Sequence, residues 1–352
     1  MVTFLSARDV AKIVRAVGAR DFWLRLVDYL RHDFERWDAF EKSPRFASHS
    51  PGGVIELMPA SDGETFTFKF VNGHPGNTLL GLQTVVAFGA LADVATGYPI
   101  LLADMTLATA FRTAATSVLA AKLVARSDSL TMALIGLGAQ AEFQACAFHA
   151  VLGIDRLRVY DCDPEALDKF QRNMADFPVT IVSCADARDA ARGADIVTTV
   201  TADKKRATIL TEDMIRSGAH INAVGGDCPG KTELSRELLL RADIYVEYAP
   251  QTRVEGEIQQ LDPAHPVTEL QEVVTGRAPG RVSPAAITIF DSVGFALEDF
   301  SVLRLLRDLA TECGVGSEID LTAAPANPKD LFSLLRPTQS ERGKRELAGH
   351  AS

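Results

Sequence analysis

Cysteine is scarce in this 352-residue chain. The five residues, Cys146, Cys162, Cys184, Cys228 and Cys313, are odd in number and include no C-x-x-C pair. That excludes a disulfide framework and a thiolate zinc site, and it fits reduced thiols in a cytosol. The seven histidines show no H-E-x-x-H spacing, so no metal is expected. Basic charge is in deficit, with 36 Lys and Arg against 46 Asp and Glu for a net charge of −10. Nucleic acid is an unsuitable partner for such a surface. Eighteen apolar residues nowhere run without a charge, so no membrane span is expected. Arg8, Asp9 and Lys12 make the N-terminus unlike a secretory leader, and a cytoplasmic location follows. What is present is an ordinary globular composition, 47% hydrophobic and 23% charged. The length leaves room for two domains.

The most informative stretch runs from Leu130 to Asp161. A strand-length apolar run, Thr131 to Ile135, leads into Gly136-Leu137-Gly138-Ala139-Gln140-Ala141. Glu142 to Leu152 is apolar at helical spacing, and a second strand, Leu157 to Tyr160, ends on Asp161. Strand, glycine turn, helix, strand and acid is the order of a dinucleotide-binding unit. Gly136 allows the tight turn, Gly138 admits a pyrophosphate close to the backbone, and Ala141 lets the helix pack closely. The free amides and positive end of that helix suit phosphates. Asp161, 20 residues past Ala141, can accept both ribose hydroxyls. Cys162 and Asp163 follow it with no base for a 2′-phosphate, so NAD is expected rather than NADP.

Earlier in the chain, Ser6 can cap a helix reaching Val17, and a second helix is expected over Arg20 to Lys42. Strands are expected at Val54–Met58, Thr65–Val71, Gln83–Leu91 and Tyr98–Leu102, joined largely as hairpins. In Thr65–Val71, Phe66, Phe68 and Phe70 face one way and Thr67 and Lys69 the other. The periodicity leaves open whether Lys69 is solvated or functional. A helix over Thr106 to Arg126 is apolar on nearly all sides and carries Arg112. A buried guanidinium needs an anion, either a protein carboxylate or a ligand. Further strands at Val179–Ser183, Asp195–Val200, His220–Val224, Ile244–Tyr248 and Ile287–Phe290 alternate with helical stretches. The fold class expected is therefore α/β: a Rossmann-type doubly wound parallel sheet plus an α+β domain. Ligands sit beyond the C-terminal strand ends in such sheets, and Asp227 lies at one of them. Asp227 also suits a simple turn, although its crevice position favours function. Residues after Gly314 should return to the first domain, and the tail from Pro337 should be disordered.

Several segments together resemble a known family. These are K-S-P-R-F-A-S-H-S around Arg45, G-V-I-E-L-M-P around Glu56, F-K-F-V-N-G-H-P around Lys69 and F-R-T-A-A-T-S around Arg112. I-G-L-G-A-Q-A, A-V-G-G-D-C-P-G-K-T-E-L and F-D-S-V-G-F-A-L-E-D complete the set. They are similar to the ornithine cyclodeaminase/mu-crystallin family over roughly Phe4 to Ser333. The resemblance implies a homodimer with a substrate-binding and dimerisation domain over 1–125, completed by 315–352. An NAD-binding domain would occupy 126–314. It implies that Arg45, Lys69 and Arg112 hold a substrate carboxylate, that Glu56 and Val293 line the pocket, and that Asp227 is the catalytic acid/base. NAD would meet Thr84, Arg112, Ala139, Gln140, Asp161, Thr201, Val224, Gly225, Gly226, Lys231 and Ser292, besides the turn of Gly136 and Gly138. The one departure noticed is Ala141 at the third glycine position.

The reaction implied is conversion of L-ornithine to L-proline and ammonia with recycled NAD. The residue types suit it, since cations fix a carboxylate and a carboxylate at Asp227 takes an amine proton. The family also includes amino acid dehydrogenases, ketimine reductases, lysine cyclodeaminases and noncatalytic crystallins. Intact Asp227, Glu56 and three cations argue against a crystallin-like binding protein.

Overall fold

The computed structural model describes residues 1–202 and 206–336; the tail from Pro337 lies outside them. The chain opens with β1 (Val2–Leu5), α1 (Ala7–Val17) and α2 (Ala19–Glu35). Next come β2 (Phe46–Ser50), β3 (Gly53–Ser61), β4 (Thr65–Gly73), β5 (Ala87–Asp93), β6 (Pro99–Asp104) and α3 (Thr106–Val124). A βα alternation follows: β7 (Thr131–Ile135), α4 (Ala141–Leu152), β8 (Arg156–Tyr160), α5 (Pro164–Asn173), β9 (Thr180–Ser183) and α6 (Ala187–Ala191). It continues with β10 (Ile196–Thr199), β11 (Arg206–Leu210), β12 (His220–Ala223), β13 (Thr232–Leu234), α7 (Arg236–Leu240), β14 (Ala242–Val246) and α8 (Ala249–Glu255). The chain closes with β15 (Thr268–Glu269), α9 (Leu270–Val274), β16 (Ile287–Asp291), α10 (Ala296–Cys313) and β17 (Ser317–Ile319).

Two large sheets result. The first has seven strands in the order β17-β1-β6-β5-β4-β3-β2. It is antiparallel except where β1 runs parallel to β6, and β17 returns from the far end of the chain to pair with β1. The second has eight strands in the order β15-β14-β16-β12-β10-β7-β8-β9. Its pairings are all parallel. Strand order reverses between β7 and β10, which opens a crevice at their C-terminal ends.

Local chemistry explains the elements. The Ser6 side chain accepts the Asp9 amide at 3.3 Å while Asp9 accepts the Ser6 amide at 3.1 Å, a reciprocal cap for α1. In α2, Phe22, Leu26, Leu30 and Phe34 form one buried stripe. That helix stops at Glu35, short of the expected Lys42. The Arg36 guanidinium reaches both Asp33 and Asp62, and the chain turns into a short 3-10 segment at Trp37–Ala39. Trp37 stays buried all the same, stacked on Phe34. The strand expected from Gln83 begins only at Ala87. Before it, the Asn72 side chain takes the Val86 amide at 2.6 Å, and left-handed Gly81 ends a 3-10 turn, so the ladder forms late.

β4 alternates as expected, with its faces assigned against intuition. Thr67 and Lys69 point into the protein and are fully buried, whereas the phenylalanine face looks outward. Across the strands Phe46, Leu57, Phe70 and Phe88 are direct neighbours in register. Phe88 is 44% exposed. On the inner face, Met58, Lys69 and Gly89 form the facing row. A Cβ at Gly89 would lie 3.2 Å from Leu303, so the missing side chain lets α10 press onto the sheet.

α3 is long and apolar enough to cross a membrane by composition, and 72% of that window is buried inside the protein. It packs against α2, α4 and α10 and touches β12 and β16, joining the two sheets. The core is continuous across this contact, from Phe22 and Leu26 through Ala115 and Leu119 to Leu134 and Phe148. Leu134 sits fully buried in central strand β7. Leu134→Ala is expected to cost about 2–5 kcal/mol, read from urea unfolding at constant slope; a loss below about 1 kcal/mol would mean the site can collapse around the gap.

Candidate active site

Two groups of side chains meet where α10 crosses the inner face of the first sheet and the strand ends of the second. Lys69 Nζ, on β4, lies 2.9 Å from the Asp299 carboxylate. Arg112, on α3, donates to Glu298 at 2.7 Å, and its Nε stands 3.2 Å from Asp299. The two carboxylates belong to the first turn of α10, where acids also favour the helix dipole. All four groups are buried, and Lys69 is only 1% exposed. Burial above all, then the like charge of Arg112, pulls Lys69 down to about 8 against the attraction of Asp299. Burial likewise pushes Glu298 up to about 7 despite Arg112. The anion that Arg112 requires is therefore met within the protein.

Arg45 forms the second group. It lies in the unstructured segment before β2, and its guanidinium donates to Glu56 at 3.1 Å. It also donates to the carbonyls of Val293 at 2.6 Å and Gly294 at 2.8 Å. Its Nε lies 3.1 Å from Glu255, at the end of α8. Arg45 thus brings Glu56, Val293 and Glu255 together from three parts of the chain. Asp227 follows β12 and is exposed, with Lys231 Nζ 3.4 Å from its carboxylate. Lys231 is buried and donates to the Thr201 carbonyl at 2.9 Å.

The crevice fits a dinucleotide. Gly136 has φ 97°, and a Cβ there would lie 2.8 Å from the Val200 carbonyl, so the turn requires glycine. At Gly138 a Cβ would meet nothing within 4 Å, which leaves open space over the backbone. Ala139 and Gln140 lead into α4; Gln140 Oε1 is buried and has no hydrogen-bond partner among the described residues. The Asp161 carboxylate, at the end of β8, accepts the Leu137 amide at 2.6 Å and the Asp163 amide at 2.9 Å. Acid and glycine turn are thereby locked together. Opposite them stand Thr201, Val224, Gly225, Gly226 and Ser292, all directly after strands of the same sheet. Ser292 donates to the buried Glu247 at 2.7 Å. Thr84 stands apart, in the loop before β5, where its carbonyl accepts the His74 amide.

Four acids of the site escaped sequence reasoning. Glu298 and Asp299 left a trace, two adjacent acids inside the apolar run Phe295 to Phe300. Glu255 left none, since its importance comes only from α8 lying beside Arg45. Glu233 was also missed. It accepts the Thr201 amide at 3.0 Å and the Thr201 hydroxyl, and it fills the space beside Gly225.

Residues 8–314 match the family described as ornithine cyclodeaminase/mu-crystallin. The chain belongs to that family. It is 57% identical over 342 residues to an ornithine cyclodeaminase of Agrobacterium fabrum (strain C58), covering 97% of each chain. Among solved structures it resembles a lysine cyclodeaminase studied for recognition of L-lysine, L-ornithine and L-2,4-diaminobutyric acid. That likeness has a TM-score of 0.86 at 34% identity, over 94% of this chain and 98% of the other. It also resembles an archaeal alanine dehydrogenase dimer with bound NAD, at TM-score 0.83 and 31% identity over 91% and 99% of the two chains.

Within the family's glycine pair, Gly225 gives a direct test. A Cβ there would land on the Glu233 carboxylate, so Gly225→Ala must push Glu233 off Thr201. NAD affinity is expected to fall at least about tenfold, with roughly 1–3 kcal/mol of stability lost to overpacking. Calorimetric titration and urea melts measure the two; unchanged NAD binding would show that this bracket does not shape the crevice.

Proposed function

We propose that this chain is an ornithine cyclodeaminase that converts L-ornithine to L-proline and ammonia with NAD recycled in place. The observation that supports the reading is the pair of buried cations Lys69 and Arg112 at the start of α10, with Arg45 within electrostatic reach of Asp227. Near-full-length identity to ornithine cyclodeaminases supports it. The glycine turn and Asp161 would hold NAD, which would supply a reversible hydride acceptor for Cα of the substrate.

Arg45, Lys69 and Arg112 take the substrate carboxylate, and Arg112 also borders the dinucleotide. Arginine's planar fork suits two carboxylate oxygens at once. Lys69, held at about 8, is still mostly charged at neutral pH. Glu56 and Val293 line the space for the side chain. Asp227 accepts the α-amine proton, since Cα yields its hydride only from the neutral amine. The bound geometry then favours attack of the terminal amine on C2 of the imine. As an intramolecular step it gains an effective molarity on the order of 10⁵ M or more. Gly225, Gly226, Thr201, Val224, Ser292 and Lys231 form the far wall of the dinucleotide site; Thr84, in the loop before β5, is assigned to it by the family resemblance.

Two copies of the chain pair through the outer face of the first sheet. The row Phe46, Leu57, Phe70 and Phe88 is apolar and directly adjacent in register, and solvent-facing apolar surface of this kind favours association. The archaeal alanine dehydrogenase is a dimer, which supports pairing as such.

Asp227→Asn keeps shape while removing the base. It is expected to bind NAD with near-normal affinity and to make proline roughly 10²-fold more slowly. A folded, NAD-loaded variant with parental turnover would sink the assignment. For the pairing, light scattering of the parent is expected to report a dimer at micromolar concentration and Phe88→Lys to weaken it; a monomeric parent would refute it.

A further inference from the structure

The buried acids around the crevice divide into two kinds. Asp291 accepts the Glu257 and Ile258 amides, each at 2.9 Å. Glu257 accepts the Glu233 and Leu234 amides, Glu233 takes the Thr201 amide, and Glu247 takes the Gly294 amide. Each of them holds main-chain amides, and their work is structural; of the four, Glu233 alone keeps an oxygen, Oε2, without a hydrogen bond among the described residues. Glu255 is different. It is 9% exposed, yet its Oε2 makes no hydrogen bond among the described residues. Its charged contact is Arg45 Nε at 3.1 Å.

A buried carboxylate left with free lone pairs is costly unless a donor arrives. The segment is held rigidly nonetheless. Gln259 donates to the carbonyls of Gly256 and Lys231 and accepts the Gly230 amide at 2.7 Å, tying the end of α8 to the loop that carries Asp227. Arg45, Glu56 on β3 and Asp227 after β12 are the charged groups that face Glu255. Burial first, and then the charges of Glu56 and Asp227, push it up to about 7 against the pull of Arg45.

We infer that Glu255 is a further catalytic residue, the base that frees the substrate's distal amine for ring closure. The inference rests on the ornithine cyclodeaminase reading above. Ornithine's terminal amine is an ammonium at neutral pH and has no lone pair with which to attack. Glu56 already accepts a hydrogen bond from Arg45, and Asp227 is taken up with the α-amine; Glu255 meets Arg45 as an ion pair, and its Oε2 makes no hydrogen bond among the described residues. It takes a proton from the distal ammonium, and the freed lone pair bonds to C2 while the imine π pair withdraws onto the α-nitrogen. Glu255 then gives its proton to the α-nitrogen and takes the one left on the ring nitrogen. The ring-nitrogen lone pair then forms the C2=N bond as ammonia departs with the electron pair of the C2–N bond.

The test is Glu255→Gln, which keeps size and an acceptor for Arg45, with Glu255→Asp in parallel and both folds checked by circular dichroism. In single turnovers with ornithine and loaded NAD, Glu255→Gln is expected to form reduced nicotinamide at near the parental rate. That signal should then persist while proline appears roughly 10²-fold more slowly. Raising the pH should recover proline about tenfold per unit as the free amine accumulates. The Asp variant should sit between the two without that pH rescue. Parental proline formation in Glu255→Gln overturns the proposal. So does equal slowing of both phases, which would leave Glu255 only an Arg45-positioning residue. If Glu255→Gln does not fold, an Asp variant that slows both phases equally overturns it too. A parent enzyme that makes no proline would instead overturn the cyclodeaminase reading.

Discussion

The structure turns on four charges kept out of water: Lys69 and Arg112 against Glu298 and Asp299. Removing an ion from water costs several kcal/mol even after relaxation, and apolar residues of equal volume are often as stable or more so. Stability alone does not account for such a set. Its placement is more telling. The cations come from β4 and α3 and the acids from the start of α10, so the set forms only where the helix leaving the second sheet lies across the first. One face of β4 must then be charged and buried, and its phenylalanines are left to face outward.

A second constraint governs the crevice. Buried carboxylates hold the backbone by its amides: Glu233 takes Thr201 after β10, Glu247 takes Val293 and Gly294 after β16, Glu257 takes two amides of β13, and Asp291 takes two just after α8. Burial favours the neutral acid and the amides favour the ionised one. Burial is the larger effect at Asp291, pushed up to about 7, and at Glu257, pushed up to about 8. Gly225 and Gly226 are glycines for a related reason, since side chains there would run into Glu233 and Glu257.

The second sheet was legible because each of its strands is a short apolar run followed by a turn signal, and a strand buried on both faces needs nothing more. Seven strands were expected there, and the eighth, β15, is two residues long. The first sheet was legible only in part. β2 reads Phe-Ala-Ser-His-Ser, without alternation, and β1 and β17 depend on a pairing more than three hundred residues apart. Lys69 shows where periodicity stops informing. Alternation placed it opposite the phenylalanines correctly, but which face is buried depends on α10, far along the chain. The candidate site followed the same rule: cations and glycines were visible as motifs, whereas Glu255 and Glu233 gain meaning only from neighbours brought in by folding.

Arg45 carries this dependence furthest. It belongs to no helix or strand, so no local ladder fixes its backbone direction. Its position comes from its partners: a carboxylate on β3, a carboxylate closing α8 and two carbonyls after β16. Only guanidinium has enough donors in a planar fork to meet all of these at once. An ammonium has three donors around a single point and could not reach both carbonyls and both acids. Three of those partners belong to the second sheet's helices and strand ends and one to the first sheet. The cluster around Arg45 is therefore a product of docking the sheets together, and it does not exist on either one alone.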